Sequence, residues 1–163
     1  MNRPQRGFMM IEALIAILIF CLGILGMVAM GGAAIGAQSD AQYRTDAAKW
    51  ADNLAAEIAL TVDRGIPAGA VLPASLASFA HQTAGANCVF SGTASPNSVV
   101  TNWISDLSSP SVTRAALPGA TSAGQQVKVD SSAAAFNRVE ITICWKAPAD
   151  AAMRSHTLVT YIN

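Results

Sequence analysis

The sequence has 163 residues and a mass of 16.8 kDa, room for one domain and an appendage. Charged residues make up 12% and apolar ones 52%, which excludes a disordered chain of low hydrophobicity and high net charge. Ten basic residues balance ten acidic ones, so bulk charge gives no support to a nucleic-acid or polyanion partner.

The chain opens on a short basic flank, Arg3 and Arg6, and then turns apolar. From Ala13 to Ala37, 25 consecutive residues carry no charge. As a helix this run extends roughly 37 Å, against about 30 Å for a bilayer's hydrocarbon core. The flank predicts a cytoplasmic N-terminus. A cleaved secretory signal has an apolar core of about 7–15 residues; this run is longer, and no A-x-A site closes it. A buried soluble helix would need more core than the rest of the chain supplies. The expectation is a membrane anchor. Glu12 fits it poorly, because an ionised acid near a bilayer centre costs about 2.5–3.5 kcal/mol or more. Near the edge it can snorkel or be protonated. Otherwise it needs a cation at the same depth, and the span contains no Lys or Arg. A second chain or a newly created α-amine would have to provide one.

Arg6-Gly7-Phe8-Met9-Met10-Ile11-Glu12, followed by the long apolar run, resembles the class III signal of type IV prepilins. That signal is a short basic leader ending in Gly, then Phe, with Glu as fifth residue of the mature chain. Met9 and Met10 stand where Thr and Leu are usual. The resemblance implies cleavage after Gly7 by prepilin peptidase and N-methylation of Phe8. It implies that Glu12 attracts the terminal amine of a neighbouring subunit. It implies a single-pass precursor in a bacterial inner membrane, then a place in a pilus fibre at the cell surface. The implied partners are other pilin and minor pilin subunits, the peptidase, the inner-membrane assembly machinery and, before assembly, the lipid bilayer. Loss of the leader leaves eight basic against ten acidic residues, a side-chain net of −2.

Beyond Ala37 the helical signal continues. Tyr43, Ala47, Trp50, Leu54 and Ile58 recur at steps of 4, 3, 4 and 4, one face of a helix. Asp40/Arg44 and Asp46/Lys49 are spaced to pair on the exposed side. Gly65 and Pro67 form a stop signal. Helix from Phe8 to Asp63 would be roughly 84 Å long, apolar all round in its first half and amphipathic in its second. Gly32 and Gly36 form a G-x-x-x-G that allows close helix approach.

Residues 66–100 are rich in turn formers, with one short strand expected near Cys88-Val89-Phe90. Val99–Leu107 reads as a short helix with Val100, Trp103 and Leu107 on one side. Leu117-Pro118-Gly119 is a turn. Gln126–Val129 and Thr157–Ile162 read as strands. In Arg138–Trp145 the apolar Val139, Ile141, Ile143 and Trp145 alternate with Arg138, Glu140, Thr142 and Cys144, the clearest strand pattern of the chain. The fold class expected is α+β: a long N-terminal helix packed on a small antiparallel sheet, which the resemblance makes a type IV pilin fold. The order Trp103, Leu107, Leu117-Pro118-Gly119, then a strand ending in Trp145, resembles the PilV-type minor pilins, as does Asp52-Asn53-Leu54-Ala55. The domain expectation is a leader over 1–7, a helix over 8–64 that spans the membrane to about 37, and a headpiece over 65–163.

Of three cysteines, Cys21 lies in the apolar run and behaves there as a small apolar residue. Cys88 and Cys144 fall in the exported part, an oxidising compartment, so a Cys88–Cys144 disulfide is expected. Two histidines, His81 and His156, show no metal-ligand spacing with these cysteines and read as surface or strand residues. No calcium-loop pattern, G-x-S-x-G or phosphate-binding Gly loop occurs. No metal, cofactor or enzymatic activity is expected. The leading expectation is a structural minor pilin that serves assembly, priming or the fibre tip. The alternatives are a minor pseudopilin of a type II secretion system and a membrane-anchored periplasmic binding domain.

Overall fold

In the computed structural model, residues 8–65, 69–109 and 116–163 are described, with side chains from Met10 onward. The first element, α1, runs Phe8–Thr61, two residues short of the expected end. Beyond it the Asp63 N–H donates to Ser75 Oγ at 3.0 Å, a side-chain partner for backbone just past the helix. The chain divides into two compact units, Met1–Ala41 and Gln42–Asn163.

In the first unit every described side chain from Met10 to Gln38 is exposed. This stretch makes α1 the one described helix that is long and apolar enough to cross a membrane.

The second unit is built on the amphipathic part of α1. Ala47, Trp50, Ala51, Leu54, Ile58 and Val62 are buried, and Tyr43 is half-buried against the same core. The stripe read from the sequence is thus the face that packs. On the exposed side Lys49 pairs with Asp46 at 3.4 Å. After α1 come α2 (Pro73–Ala77), β1 (Ala84–Ala86), β2 (Val89–Ser91) and α3 (Ser98–Ser108). A 3-10 turn at Ser122–Gly124 leads into β3 (Gln125–Asp130), β4 (Arg138–Trp145) and β5 (Arg154–Tyr161).

The last three strands form an antiparallel sheet in the order β3-β4-β5. Its register aligns Val127, Ile141 and Leu158 in one row and Val129, Val139 and Thr160 in the next. This face joins α1 and α3 in a single buried cluster. Helix α3 begins at Asn97, whose side chain accepts from the Val99 N–H, an N-cap. It buries Val100, Trp103, Ile104 and Leu107. The Trp103 indole N–H donates to the Trp50 carbonyl at 3.0 Å, fastening α3 to α1. The turn at Leu117-Pro118-Gly119 also docks: Leu117 is buried, and the Pro118 carbonyl accepts from the Lys146 N–H at 2.8 Å. Gly119 has φ +65°, and a Cβ there would lie 2.9 Å from the Lys146 carbonyl oxygen, so only glycine fits without strain.

Two sequence expectations need correction. The single strand near Cys88 is a hairpin, in which β1 pairs with β2 in the register Ala84↔Ser91 to Ala86↔Val89. Its turn residues Asn87 and Cys88 both have positive φ, as a two-residue type I′ turn requires. The inside–outside alternation of β4 fails at its C-terminal end, where Thr142 and Cys144 are buried along with Ile143 and Trp145. The hairpin is the cause, since it covers the outer face of the sheet there. Gln126, beside Thr142 in the register, donates through Nε2 to the Gln82 and Ala84 carbonyls at 2.7 and 3.1 Å.

Leu54 is fully buried at the centre of the α1 stripe. Leu54→Ala is expected to destabilise the head by about 2–5 kcal/mol, measured as a lowered urea midpoint for the full chain in detergent micelles.

Candidate functional site

Two features carry the chemistry the sequence pointed to: the apolar stretch around Glu12 and the covalent tie at Cys88. Gly7 lies outside the described residues, and so does the Phe8 side chain. The backbone of α1 starts at Phe8. Glu12 is exposed on α1, one turn in, among exposed Met10, Ile11, Leu14 and Ile15. The helical spacing of 3.6 residues per turn spreads the apolar side chains around every face of this segment. Free Cys21 is exposed within it. A Cβ placed on Gly32 or Gly36 would meet open space. The Ser39 hydroxyl is turned back along the helix and donates to the Gly36 carbonyl at 2.9 Å, so its polarity is spent internally.

Cys88 and Cys144 are disulfide-bonded across 56 positions, with Cα atoms 5.7 Å apart. The bond joins the hairpin turn to the outer face of β4, opposite Ser155 of β5. The positive φ at Cys88 aims a residue with a side chain into a conformation that favours glycine. The covalent tie and the turn therefore fix each other.

The two histidines separate. His156 lies on β5 opposite Ile143. His81 is 2% exposed, so it is not a surface residue, while its backbone pairs with a strand. Its backbone exchanges two hydrogen bonds with Val127 at 2.9 Å each, an isolated bridge on the free edge of β3. Its Nδ1 accepts from the Ser95 N–H at 3.1 Å, and Nε2 lies 3.4 Å from the Ser122 carbonyl. An acceptor Nδ1 means that the proton sits on Nε2. Burial pushes the imidazole below its ordinary value, and the Ser122 carbonyl partly opposes the shift. The Ser95 hydroxyl donates to the Ser78 carbonyl at 2.8 Å and accepts from the Asn97 N–H at 3.2 Å. Nothing in local periodicity announces this network. The one available signal is that Gly65–Ser105 contains no Asp, Glu, Lys or Arg, which leaves His81 as its sole titratable side chain besides the disulfide-bonded Cys88.

Elsewhere, Asp150 accepts two hydrogen bonds from the Arg154 guanidinium at 2.7 and 2.8 Å, which hold its carboxyl below the usual range. This pair sets the entry to β5. A cleft of about 190 Å³ lies between α1 and α3, with Trp50 and Trp103 in its floor and Asn53, Glu57, Asn102 and Asp106 around it. Among the described residues, no group of three or more His, Cys, Asp or Glu could hold a metal ion.

The closed loop predicts a stability effect of about 4 kcal/mol in the chain-entropy model. Cys144→Ala is expected to lose that amount in urea unfolding of the full chain. Unfolding without reductant should expose one thiol to alkylation, Cys21, and unfolding with reductant three, read as intact mass. Two further labels without reductant would refute the tie.

No protein-family model, curated protein or solved structure matches this chain. The functional reading therefore rests on its own residues.

Proposed function

We propose that this chain is a minor pilin, a non-enzymatic subunit for assembly, priming or the tip of a type IV pilus. The observation that carries the reading is a single acid, Glu12, set near the start of a wholly apolar, wholly exposed helical stretch. It stands five residues into the chain counted from Phe8, directly after a basic leader that ends in Gly7. In this reading the precursor spans the inner membrane with its N-terminus in the cytoplasm. Prepilin peptidase removes residues 1–7 and N-methylates Phe8. Glu12 then receives the terminal amine of an adjacent subunit. In a water-excluded fibre core such a pair is favourable only when geometry is good, so it selects one axial register. The α+β layout of long helix and small antiparallel sheet supports the reading because it is compatible with a type IV pilin fold. The disulfide supports export, since such bonds persist in oxidising compartments.

The decisive experiment is mass spectrometry of sheared surface fibres and of the membrane fraction. A peptide beginning with N-methylated Phe8 in the fibres is the expected result. The same peptide confined to membranes would favour a pseudopilin of type II secretion or a basal priming role. Chain that keeps Met1–Gly7 in cells with active peptidase would favour a membrane-anchored binding domain and end the pilin reading. Glu12→Ala is expected to be cleaved normally yet enter fibres at least about tenfold less, the effect of 1.4 kcal/mol, measured by quantitative immunoblot of sheared material.

A further inference from the structure

Residues 78–97 carry the β1–β2 hairpin, and their two ends come together at His81 and Ser95. We propose that His81 is an acid-operated latch: with its imidazole neutral it holds this segment across the free edge of β3, and protonation at Nδ1 releases the base of the segment. The inference is independent of the pilin reading.

Three of the contacts that close the base lie at His81 or beside it. The Ser95 N–H donates to His81 Nδ1. The Gln82 N–H donates to the Thr93 carbonyl at 3.0 Å. The His81 backbone exchanges its two bonds with Val127. From Ser95 the network passes through Asn97 to the first turn of α3. A proton on Nδ1 converts the acceptor into a donor that faces the Ser95 N–H, two donors at hydrogen-bond distance. The buried amide then loses its partner, and a charge appears on a buried ring held by uncharged backbone groups. Both effects oppose closure. The far end of the segment stays tied by Cys88–Cys144, so release is local: the hairpin remains attached while the edge of β3 at Val127 opens.

Charged groups around the latch are few. Helix α2, the hairpin and the 3-10 turn contain none, α3 contributes Asp106, and β3 contributes Lys128 and Asp130. Lys128 and Asp130 are set opposite Glu140 and Arg138 in the register, on the face away from Val127. The ring itself is held by the Ser95 N–H and the Ser122 carbonyl.

The sign follows from burial, which lowers the closed-state pKa below 6.5. The open segment binds the proton more tightly, so closure is fully favoured above about pH 6.5 and weakens as pH falls toward the closed-state value. Within that window the opening constant rises by at most about tenfold per pH unit.

Hydrogen–deuterium exchange of the full chain in detergent micelles tests the latch, with rates corrected for the chemical pH dependence. Between pH 7.5 and 5.0, peptides covering 78–97 and 125–129 should lose protection progressively, while β4 and β5 keep theirs. His81→Gln, whose amide oxygen can accept from Ser95 without titrating, should abolish the pH response; His156→Gln should leave it intact. Equal loss of protection in all elements, no loss in the wild-type chain, or the same loss in His81→Gln would overturn the proposal. If His81→Gln does not fold, NMR titration of the wild-type imidazole decides. Protonation of His81 in step with exchange of the Ser95 amide supports the latch. A ring that stays neutral to pH 4.5, or protonates while that amide remains protected, refutes it.

Discussion

A helical segment that is apolar on every face has no stable existence in water. At about 25 cal/mol per Å², the exposed side chains from Met10 to Ala37 make removal from solvent the strongest demand anywhere in this molecule. Lipid satisfies it, and so do other helices of the same kind. The two are interchangeable because neither environment offers the backbone a partner that the helix lacks. A segment that can trade one for the other suits the proposed role, a subunit that leaves a membrane for a fibre. In the proposed pilin reading the one carboxylate in such a surface acts as a selector, because its demand for a cation is not met by lipid tails.

The head meets a different constraint. Its core is built on large buried side chains, Trp50, Phe79, Trp103 and Trp145 among them, and cross-ties between distant parts of the chain supplement it. Trp103 is bonded to the Trp50 backbone, Pro118 to Lys146, Arg64 to the Asn163 carbonyl, and Cys88 to Cys144. Each adds a directional bond between segments distant in the chain. The turn at Gly119 shows the same economy: a backbone-to-backbone approach that any side chain would block.

What could be read in the sequence was what local period encodes. The stripe from Tyr43 to Ile58, the α3 face of Val100, Trp103 and Leu107, and the alternation along the first part of β4 (Arg138–Ile141) all emerged, because burial there follows helix or strand geometry. Glu12 stood out as the one acid in an apolar run, whereas Gly7 and Phe8 were singled out only by the resemblance to class III prepilin signals. The β1–β2 hairpin was harder: Ala84-Gly85-Ala86 has no strand propensity, and its pairing depends on the Asn87-Cys88 turn and on cover from the sheet. Thr142 and Cys144 look like solvent positions until the hairpin is placed over them. Pro73–Ala77 is too short for a helical period to register. The His81 network was invisible for a related reason. Its partners lie 14 and 41 positions away, brought together by the β3 edge and not by any repeat.

The charge-free stretch from Gly65 to Ser105 has a bearing on salinity. Its attachment to the sheet uses neutral amide, hydroxyl, carbonyl and imidazole groups and one covalent bond. Mobile ions screen interactions between charges, with a Debye length of about 8 Å at physiological salt, and have no comparable grip on such contacts. The exposed Lys49–Asp46 pair belongs to the class that weakens as salt rises. The hairpin and its fastening do not, and this face of the head keeps its form in brine and in fresh water alike.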